Sequence, residues 1–220
     1  MLKRLRRWLF GGSPAPGASF APARPADPPP PAREPAPAVA ADPAPDSATS
    51  GLPFEIRPYR DGDAAALARV FRDAILVTAA DHYDADQRRA WSAAADDPAF
   101  PADLTKGLTM VAEWQQETAG FAQLVDDRIT LIYVHPDTAR LGIATLLYQH
   151  LEDEARIQGR ERLVTEASQV AHDFFLFLGF QPEAEETVER DGVALTGWRM
   201  HKPLIGKTTS RFGGEKRQGG

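Results

Sequence analysis

The residues with the clearest chemical role are the six from 139 to 144, Ala-Arg-Leu-Gly-Ile-Ala, which join an apolar segment to an amphipathic one. This order predicts a strand that runs through a glycine-containing loop into a helix. The first N–H groups of a helix have no partner inside it, and with the positive end of the helix dipole they bind anions. Gly142 and Ala144 permit close approach of a ligand, and Arg140 can add a charge-assisted bond. The loop predicts a phosphate site, and an ordinary strand-to-helix turn stays open as the alternative.

Two commoner phosphate-binding loops do not fit this segment. A nucleoside-triphosphate P-loop needs Lys-Ser or Lys-Thr after its second glycine, and a dinucleotide fold needs three spaced glycines with an acidic residue downstream. Neither pattern occurs between residues 129 and 149. The predicted ligand is therefore a phosphate compound of another class.

The elements around this loop follow from hydrophobic spacing and from turn and cap residues. They follow one another in the order β-α-α-β-β-β-α-β-α-β-β, which predicts an α/β (α+β) fold in which the second to fourth strands form an antiparallel meander. The predicted strands are 54–59, 108–114, 119–124, 128–134, 162–166, 187–190 and 193–200. The predicted helices start near Asp61 or Asp63, at Asp84, after Gly142 and at Ala171, and they end near Ile75, Trp91, Gly159 and Leu178.

Composition divides the 220 residues into three parts. Residues 1–52 are predicted to be a disordered Pro/Ala-rich segment with a basic start, because residues 13–50 contain too few apolar side chains to offset the entropy of ordering. Residues 53–204 are predicted to form one domain of ordinary size, and residues 205–220 a flexible tail. The absence of cysteine excludes thiolate metal sites and an acyl-enzyme on sulfur. We predict no metal.

The formal net charge of −6 argues against nucleic acid as a partner and favours a small molecule. Residues 1–10 are the exception, because they combine Lys and Arg with Leu, Trp and Phe. As a helix they could contact an anionic membrane surface weakly or dock on a partner, and a solvated basic tail is the alternative. They lack the features of a signal peptide, so a cytoplasmic location is expected. The sequence does not decide between a monomer and a homodimer.

The motif from Ala139 to Ala144 resembles the pyrophosphate loop of the GNAT superfamily of N-acetyltransferases, which bind acetyl-coenzyme A. The segments Leu131–Pro136 and Phe174–Phe180 are similar to that family's strand before the loop and to its last helix with a Gly-Phe ending. The Tyr83–Trp91 helix and the residues Thr165–Ser168 resemble an uncharacterised bacterial branch. One departure is Ala139, which stands where the family usually has Gln or Arg.

The resemblance implies a mixed, mostly antiparallel central sheet with helices on both faces. It also implies an acetyl-coenzyme A dependent N-acetyltransferase that acts directly on an amine of a small molecule or a peptide. It implies that two strands part to receive the pantetheine arm, and that a backbone N–H near Val134 stabilises the developing oxyanion. The implied cofactor residues are Ile132, Tyr133, Val134, Arg140, Leu141, Gly142, Ile143, Ala144 and Thr145.

An amine must lose a proton before it attacks, and Glu166 at a strand end is the first candidate for the base. His135 is the second candidate. Phe175 stands where many family members have a tyrosine acid, so Tyr133, Tyr148, Tyr83 or bulk water could replace it. Packing and capping roles stay open for all of these side chains.

Acceptor selection is expected from the segment between Ala79 and Trp91 and from the final hairpin. Asp81, His82, Tyr83 and Trp91 could line a pocket for a cationic amine. An alternative function is an acyl-coenzyme A binding sensor or scaffold without catalysis, and another is a membrane- or partner-tethered protein. A hydrolase built on Ser168 and His172 is discounted, because Ser168 is placed to cap a helix.

Overall fold

A single seven-stranded sheet runs through the computed structural model, which describes residues 54–204. The strands are β1 (Phe54–Pro58), β2 (Leu108–Trp114), β3 (Glu117–Val125), β4 (Arg128–Val134), β5 (Arg162–Ser168), β6 (Gln181–Arg190) and β7 (Val193–Pro203). Their order is β1-β2-β3-β4-β5-β7-β6. Neighbours are antiparallel except β4 and β5, which run parallel. The predicted mixed, mostly antiparallel sheet is confirmed.

Five α-helices connect these strands within residues 54–204. They are α1 (Ala64–Val77), α2 (Ala85–Ser92), α3 (Phe100–Leu104), α4 (Ile143–Ile157) and α5 (Gln169–Phe177). Their apolar stripes follow from sequence spacing, as in α4, where Ile143, Leu147 and Leu151 are buried. Asp84 caps α2 through a reciprocal pair with Gln87, as the capping pattern predicts.

Two apolar clusters fill the fold, one on each face of the sheet. Residues of α4 and α5 pack with Ala122 and Leu124 of β3, whereas residues of α1, α2 and α3 pack with Phe121 of the same strand. Because successive strand residues point to opposite faces, the two clusters lie on opposite sides of the sheet. The prediction of helices on both faces is confirmed.

The structure differs from the sequence prediction in two elements. The helix α3 was not predicted, since five residues are too short to show a helical period and Pro101 stands in its first turn. The strand β6 begins at Gln181 instead of Thr187. It is an edge strand, and residues 181–186 are polar or charged except for Pro182 and Ala184. The sequence therefore does not show the apolar alternation of a half-buried strand, although burial alternates from Ala184 onward.

The predicted segments 1–52 and 205–220 fall outside the described residues, so those predictions stay as they are. No helix between residues 54 and 204 is long and apolar enough to cross a lipid bilayer.

Candidate active site

Strands β4 and β5 part near the middle of the sheet. Their parallel register joins Arg128 to Val164 and Ile129 to Thr165, and it ends there. The Thr165 hydroxyl donates to the Ile129 carbonyl at 3.1 Å close to the point of separation. The opposite edge of β4 stays paired with β3 as far as Val134. The second half of β4 therefore has a free edge that faces the gap.

The free edge presents backbone groups of Ile132 and Val134. The N–H of His135 donates to the Ala119 carbonyl at 2.8 Å, and Val134 lies opposite Gly120 in the register. In an antiparallel pair, bonding to the partner alternates from residue to residue, so Val134 and Ile132 direct their N–H and C=O groups away from β3. These are the backbone groups that a ligand lying between the strands would meet.

A cleft of about 720 Å³ opens at this gap. Its walls are mostly apolar and come from the free end of β4, the loop before α4, the end of α1 and the exposed side of α5. All of the predicted cofactor residues line it except Leu141, which is 47% exposed. The cleft has the volume and apolar character of a small-molecule site.

The loop before α4 is shaped by two left-handed residues. Arg140 has a φ of 64°, and Gly142 has a φ of 84° at the N-cap position of α4. A Cβ atom added at Gly142 would meet nothing within 4 Å, so glycine is favoured there by backbone conformation rather than by space. No side chain caps α4, and the N–H groups of Ile143, Ala144 and Thr145 are left for a ligand. Such unpaired N–H groups at the start of a helix can bind an anion.

Gly120 allows α4 to begin close to the sheet. A Cβ atom at this position would lie 2.8 Å from the Tyr133 carbonyl oxygen and 3.3 Å from the Ile143 Cγ2 atom. The first contact is with a backbone atom and is shorter than real Cβ atoms show, and the second is tight, so a larger residue would force the strands or the first turn of α4 to shift. The close approach sets the free edge of β4 beside the free N–H groups of the helix.

Glu166 lies on the opposite side of the gap, in the wall of a small chamber of about 50 Å³ that adjoins the cleft. Its carboxylate accepts a hydrogen bond from the Arg128 guanidinium, and the side chains of Arg128 and Glu166 are 25% and 16% exposed. Tyr133 and Trp91 line both the chamber and the cleft. The predicted base candidate therefore lies next to the cleft, and it is held by an arginine that the sequence analysis did not single out.

Tyr133 is the tyrosine that reaches the gap. Its ring packs on Phe71 at 4.6 Å and on Phe121 at 5.7 Å between centroids. Burial raises the pKa of its phenol, and the charge of Arg190 and a hydrogen bond with Trp91 oppose that rise. The phenol is thus protonated across the physiological range, so its O–H can donate a hydrogen bond into the gap.

Arg190 lies behind this tyrosine and is 1% exposed. It donates to the Trp91 carbonyl at 3.3 Å, and burial lowers its pKa to about 10. No pattern in the sequence pointed to Arg190, because an arginine at the end of an edge strand is usually solvated.

The other two tyrosine candidates have structural partners. The Tyr83 hydroxyl donates to the Thr196 carbonyl and accepts from the Gln169 N–H, both at 2.9 Å. Tyr148 is buried on the face covered by α4, where Lys202 donates to its oxygen at 2.8 Å. Burial raises the pKa of the Tyr148 phenol. Neither lines the cleft or the chamber. Phe175, which stands in place of the expected acid, lines the chamber and is 1% exposed.

His135 belongs to a different cavity, of about 340 Å³, between α1 and the β2–β3 turn. Its Nδ1 atom accepts from the Asp137 N–H at 3.3 Å, and its Nε2 atom lies 3.5 Å from Asp73. The structure therefore does not bring His135 together with Glu166, and its bonding is that of a residue that orders the start of the loop.

Of the predicted acceptor residues, one lines the site and the others do not. Trp91 is 4% exposed and lines both the chamber and the cleft, whereas His82 is exposed and lines neither of them. Tyr83 packs its ring against Trp91 at 5.3 Å and ties α2 to β7. The Ser168 hydroxyl accepts from the Ala171 N–H at 3.3 Å, so the predicted helix cap is confirmed.

Comparison with known proteins agrees with this geometry. Residues 79–202 match the acetyltransferase (GNAT) domain, which is more than half of the chain. The chain belongs to the GNAT acetyltransferase family. It is an acyltransferase by this membership, and the predicted family is confirmed.

Two relatives are matched over most of their own length. The uncharacterized N-acetyltransferase YafP of Escherichia coli is 32% identical over 150 residues, which are 68% of this chain and 96% of that protein. A crystal structure of a GCN5-related N-acetyltransferase from Rhodopseudomonas palustris is 38% identical with a TM-score of 0.66, and the match covers 68% of this chain and 94% of that chain.

A third relative was solved with a ligand. The structure of yncA, a putative acetyltransferase from Salmonella typhimurium, contains its cofactor acetyl-CoA. It is 27% identical to this chain with a TM-score of 0.50, over 70% of this chain and 95% of that one.

Proposed function

We propose that the protein is an acetyl-coenzyme A dependent N-acetyltransferase that acetylates an amine of a small molecule or a peptide by direct transfer. The observation that carries the proposal is the free edge of β4 beside the uncapped start of α4, joined by a cleft of about 720 Å³. An elongated ligand with an amide-containing arm and an anionic end fits this arrangement. Acetyl-coenzyme A would supply the activated acetyl group as a thioester.

The backbone would hold most of this ligand. Ile132 and Val134 would bond the amides of the pantetheine arm as an added strand does. The N–H groups of Ile143, Ala144 and Thr145, with Arg140, would hold the pyrophosphate. The Val134 N–H is then placed to donate to the carbonyl oxygen of the thioester as negative charge develops on it.

The side chains of the chamber would handle the protons. Glu166, directly or through a water, accepts the proton that the acceptor amine must lose, because an alkylammonium group with a pKa near ~10.4 is mostly protonated at neutral pH. The amine nitrogen adds to the thioester carbonyl and the C–S bond then breaks. The Tyr133 phenol, which lines both the cleft and the chamber, would give its proton to the leaving thiolate. Phe175 has no proton to give, which is why this role passes to Tyr133.

The test is thiol release from acetyl-coenzyme A with a panel of amines, using wild-type protein and Glu166→Gln. We expect acceptor-dependent release that falls by about 10²-fold or more in the variant. Affinity for coenzyme A should stay unchanged, because Glu166 lies outside the cofactor cleft. The matched control is Glu161→Gln, which removes an exposed carboxylate just before the same strand.

Two outcomes would contradict the proposal. Binding of acetyl-coenzyme A without thiol release in the presence of any amine would favour the sensor or scaffold function. That function requires neither a proton donor at Phe175 nor a Glu166 carboxylate free of its ion pair with Arg128. An unchanged rate in Glu166→Gln with retained binding would remove Glu166 as the base.

A further inference from the structure

Strand β4 contains one extra residue at the point where it leaves β5. Its register with β3 joins Ile129 to Leu124 and Leu131 to Gln123, so Thr130 between them has no partner on β3. The pairing of β4 with β5 ends at Ile129, directly before this residue. Such a β-bulge bends a strand and changes the direction of the groups that follow it. The bulge therefore lies where the gap begins.

The bulge determines which backbone groups face the gap. The carbonyls of Asp127 and Ile129 accept from groups of β5 at 2.8 Å and 3.1 Å, so odd-numbered residues face β5 before the bulge. After the bulge, the even-numbered residues Ile132 and Val134 face the gap, as the register with β3 requires. In a strand of regular alternation, the odd-numbered Tyr133 would take this place. The extra residue thus brings the Val134 N–H to the side where the thioester is proposed to lie.

The side chains of β4 change direction at the same point. Residues two apart on a regular strand point to the same face of the sheet. Ile129 nevertheless belongs to the apolar cluster of α4 and α5, whereas Leu131 belongs to the cluster of α1, α2 and α3. Tyr133 follows Leu131 on that second face, where its ring packs on Phe71. The bulge therefore also determines the side of the sheet from which Tyr133 reaches the gap.

A buried glutamine holds the bulge. Gln123 of β3 is 0% exposed, and its Oε1 atom accepts from the Thr130 hydroxyl at 2.6 Å. Its Nε2 atom donates to the carbonyls of Asp103 at 2.8 Å and Lys106 at 2.9 Å, near the end of α3. Both amide hydrogens are thus in use, which fixes the direction of Oε1. The bulge residue is bonded to a side chain that is itself held in place.

We propose that Gln123 is a positioning residue for acyl transfer, because through the Thr130 hydroxyl it fixes the bulge that directs the Val134 N–H towards the thioester. This inference rests on the proposed acetyltransferase function. Thr130 lines the chamber, whereas Gln123 lines neither the chamber nor the cleft and so acts without touching the substrate. A bulge residue has no partner on the neighbouring strand, so the side-chain bond is what holds it against a shift of β4.

The experiment removes the hydroxyl at nearly constant side-chain size. Thr130→Val should lower kcat at saturating acetyl-coenzyme A by about tenfold or more, measured with the most rapidly acetylated amine of the panel. Removal of one oxyanion donor costs about 10²–10³-fold, and its displacement costs less. Thr130→Ser keeps the hydroxyl and should restore kcat to within threefold of wild type.

A second ligand separates displacement of the strand from damage to the whole domain. ADP has a pyrophosphate but no pantetheine arm, so it reports on the start of α4 and not on the edge of β4. Calorimetry should show that ADP binds Thr130→Val within twofold of its affinity for wild-type protein. A general loss of structure would weaken ADP binding together with kcat.

Thr109→Val is the matched control. Thr109 is 3% exposed on β2, and its hydroxyl donates to the Leu104 carbonyl at 2.8 Å, next to the carbonyls that Gln123 bonds. It lines neither the chamber nor the cleft. Urea titration should show a similar loss of stability in both valine variants. Thr109→Val should nevertheless keep the wild-type kcat under conditions in which each variant is folded.

A double variant tests whether Gln123 and Thr130 act as one unit. Gln123→Met removes the acceptor at nearly constant volume and should lower kcat at least as much as Thr130→Val. Adding Thr130→Val to Gln123→Met should then change kcat by less than threefold, because the bond between the two residues is already absent.

Four results would overturn the inference and leave the acetyltransferase function intact. They are a kcat of Thr130→Val within threefold of wild type, an equal loss of kcat in Thr130→Ser or Thr109→Val, a loss of ADP affinity as large as the loss of kcat, and multiplicative losses in the double variant. Absence of thiol release by wild-type protein with every amine would instead contradict the proposed function, and the inference with it.

Discussion

The substitution Gly142→Glu tests the anion site at the start of α4. Gly142 has a φ of 84°, and an added Cβ atom meets nothing within 4 Å. The new side chain therefore has room, and its steric cost is the left-handed backbone, about 1–2 kcal/mol of folding stability. Its carboxylate, however, would stand in front of the N–H groups that are proposed to hold a pyrophosphate.

The electrostatic cost follows from the position of the new charge. A carboxylate about 6 Å from a pyrophosphate with two negative charges is repelled by roughly 0.7 kcal/mol for each charge in a medium as polar as water, or about 1.4 kcal/mol in total. This corresponds to about a tenfold loss of affinity, and to more where the protein lowers the local dielectric constant. We expect coenzyme A to bind Gly142→Glu about 10- to 100-fold more weakly than wild-type protein.

Calorimetry with two ligands separates charge from distortion. Coenzyme A should lose affinity, whereas S-acetylpantetheine, which has no phosphate, should bind Gly142→Glu as it binds Gly142→Ala. Gly192→Glu is the matched control, because Gly192 has a φ of 80°, is equally open, and lies in the distant β6–β7 turn. If coenzyme A binds Gly142→Glu within threefold of wild type, or if both ligands weaken equally, the loop is not an electrostatic pyrophosphate site.

Three further predictions concern neighbouring parts of the fold. Gly120→Ala should lower the free energy of unfolding by about 1–3 kcal/mol and weaken coenzyme A binding, because its Cβ would lie 2.8 Å from the Tyr133 carbonyl; urea titration and calorimetry measure both, and full stability would contradict the close approach. Tyr133→Phe should lower kcat by about tenfold or more while coenzyme A affinity is kept, and an unchanged kcat would exclude the phenol as the acid. Hydrogen bonds from Arg57 lower the pKa of the Asp63 carboxyl below its usual range, so this pair stabilises the fold above about pH 4 and its contribution is lost as the pH falls through the folded value. Between pH 5.5 and pH 3, urea titration should therefore show a smaller loss of stability in Asp63→Asn than in wild-type protein, and equal losses would refute the assignment.

Much of the fold was predictable because its main segments are strongly periodic. Strands β2 and β4 have the predicted bounds, and the loop at Gly142 was recognised from small residues between a strand and a helix. The parting of β4 and β5 could be expected only from the family resemblance, since nothing in either strand's composition states where pairing ends. The short helix α3 and the polar edge strand β6 lacked the periodicity on which such predictions depend.

The part of the candidate site that consists of backbone groups was predictable from the sequence. The contacts between side chains that are far apart in the sequence were not. The cofactor residues cluster because they are consecutive along β4 and α4. Arg128 is 38 residues from Glu166, and Arg190 is 99 residues from Trp91. Their contacts depend on the sheet register and on how the last hairpin reaches α2, so neither arginine could be chosen from the sequence.

The bonds between α2 and the last hairpin have a consequence for redesign. A segment near residue 85 and another near residue 195 are joined through the side chains of Tyr83 and Gln87. Replacing either segment alone with that of a relative would leave donors and acceptors of the other without partners. A chimera intended to change the accepted amine therefore has to exchange both segments together.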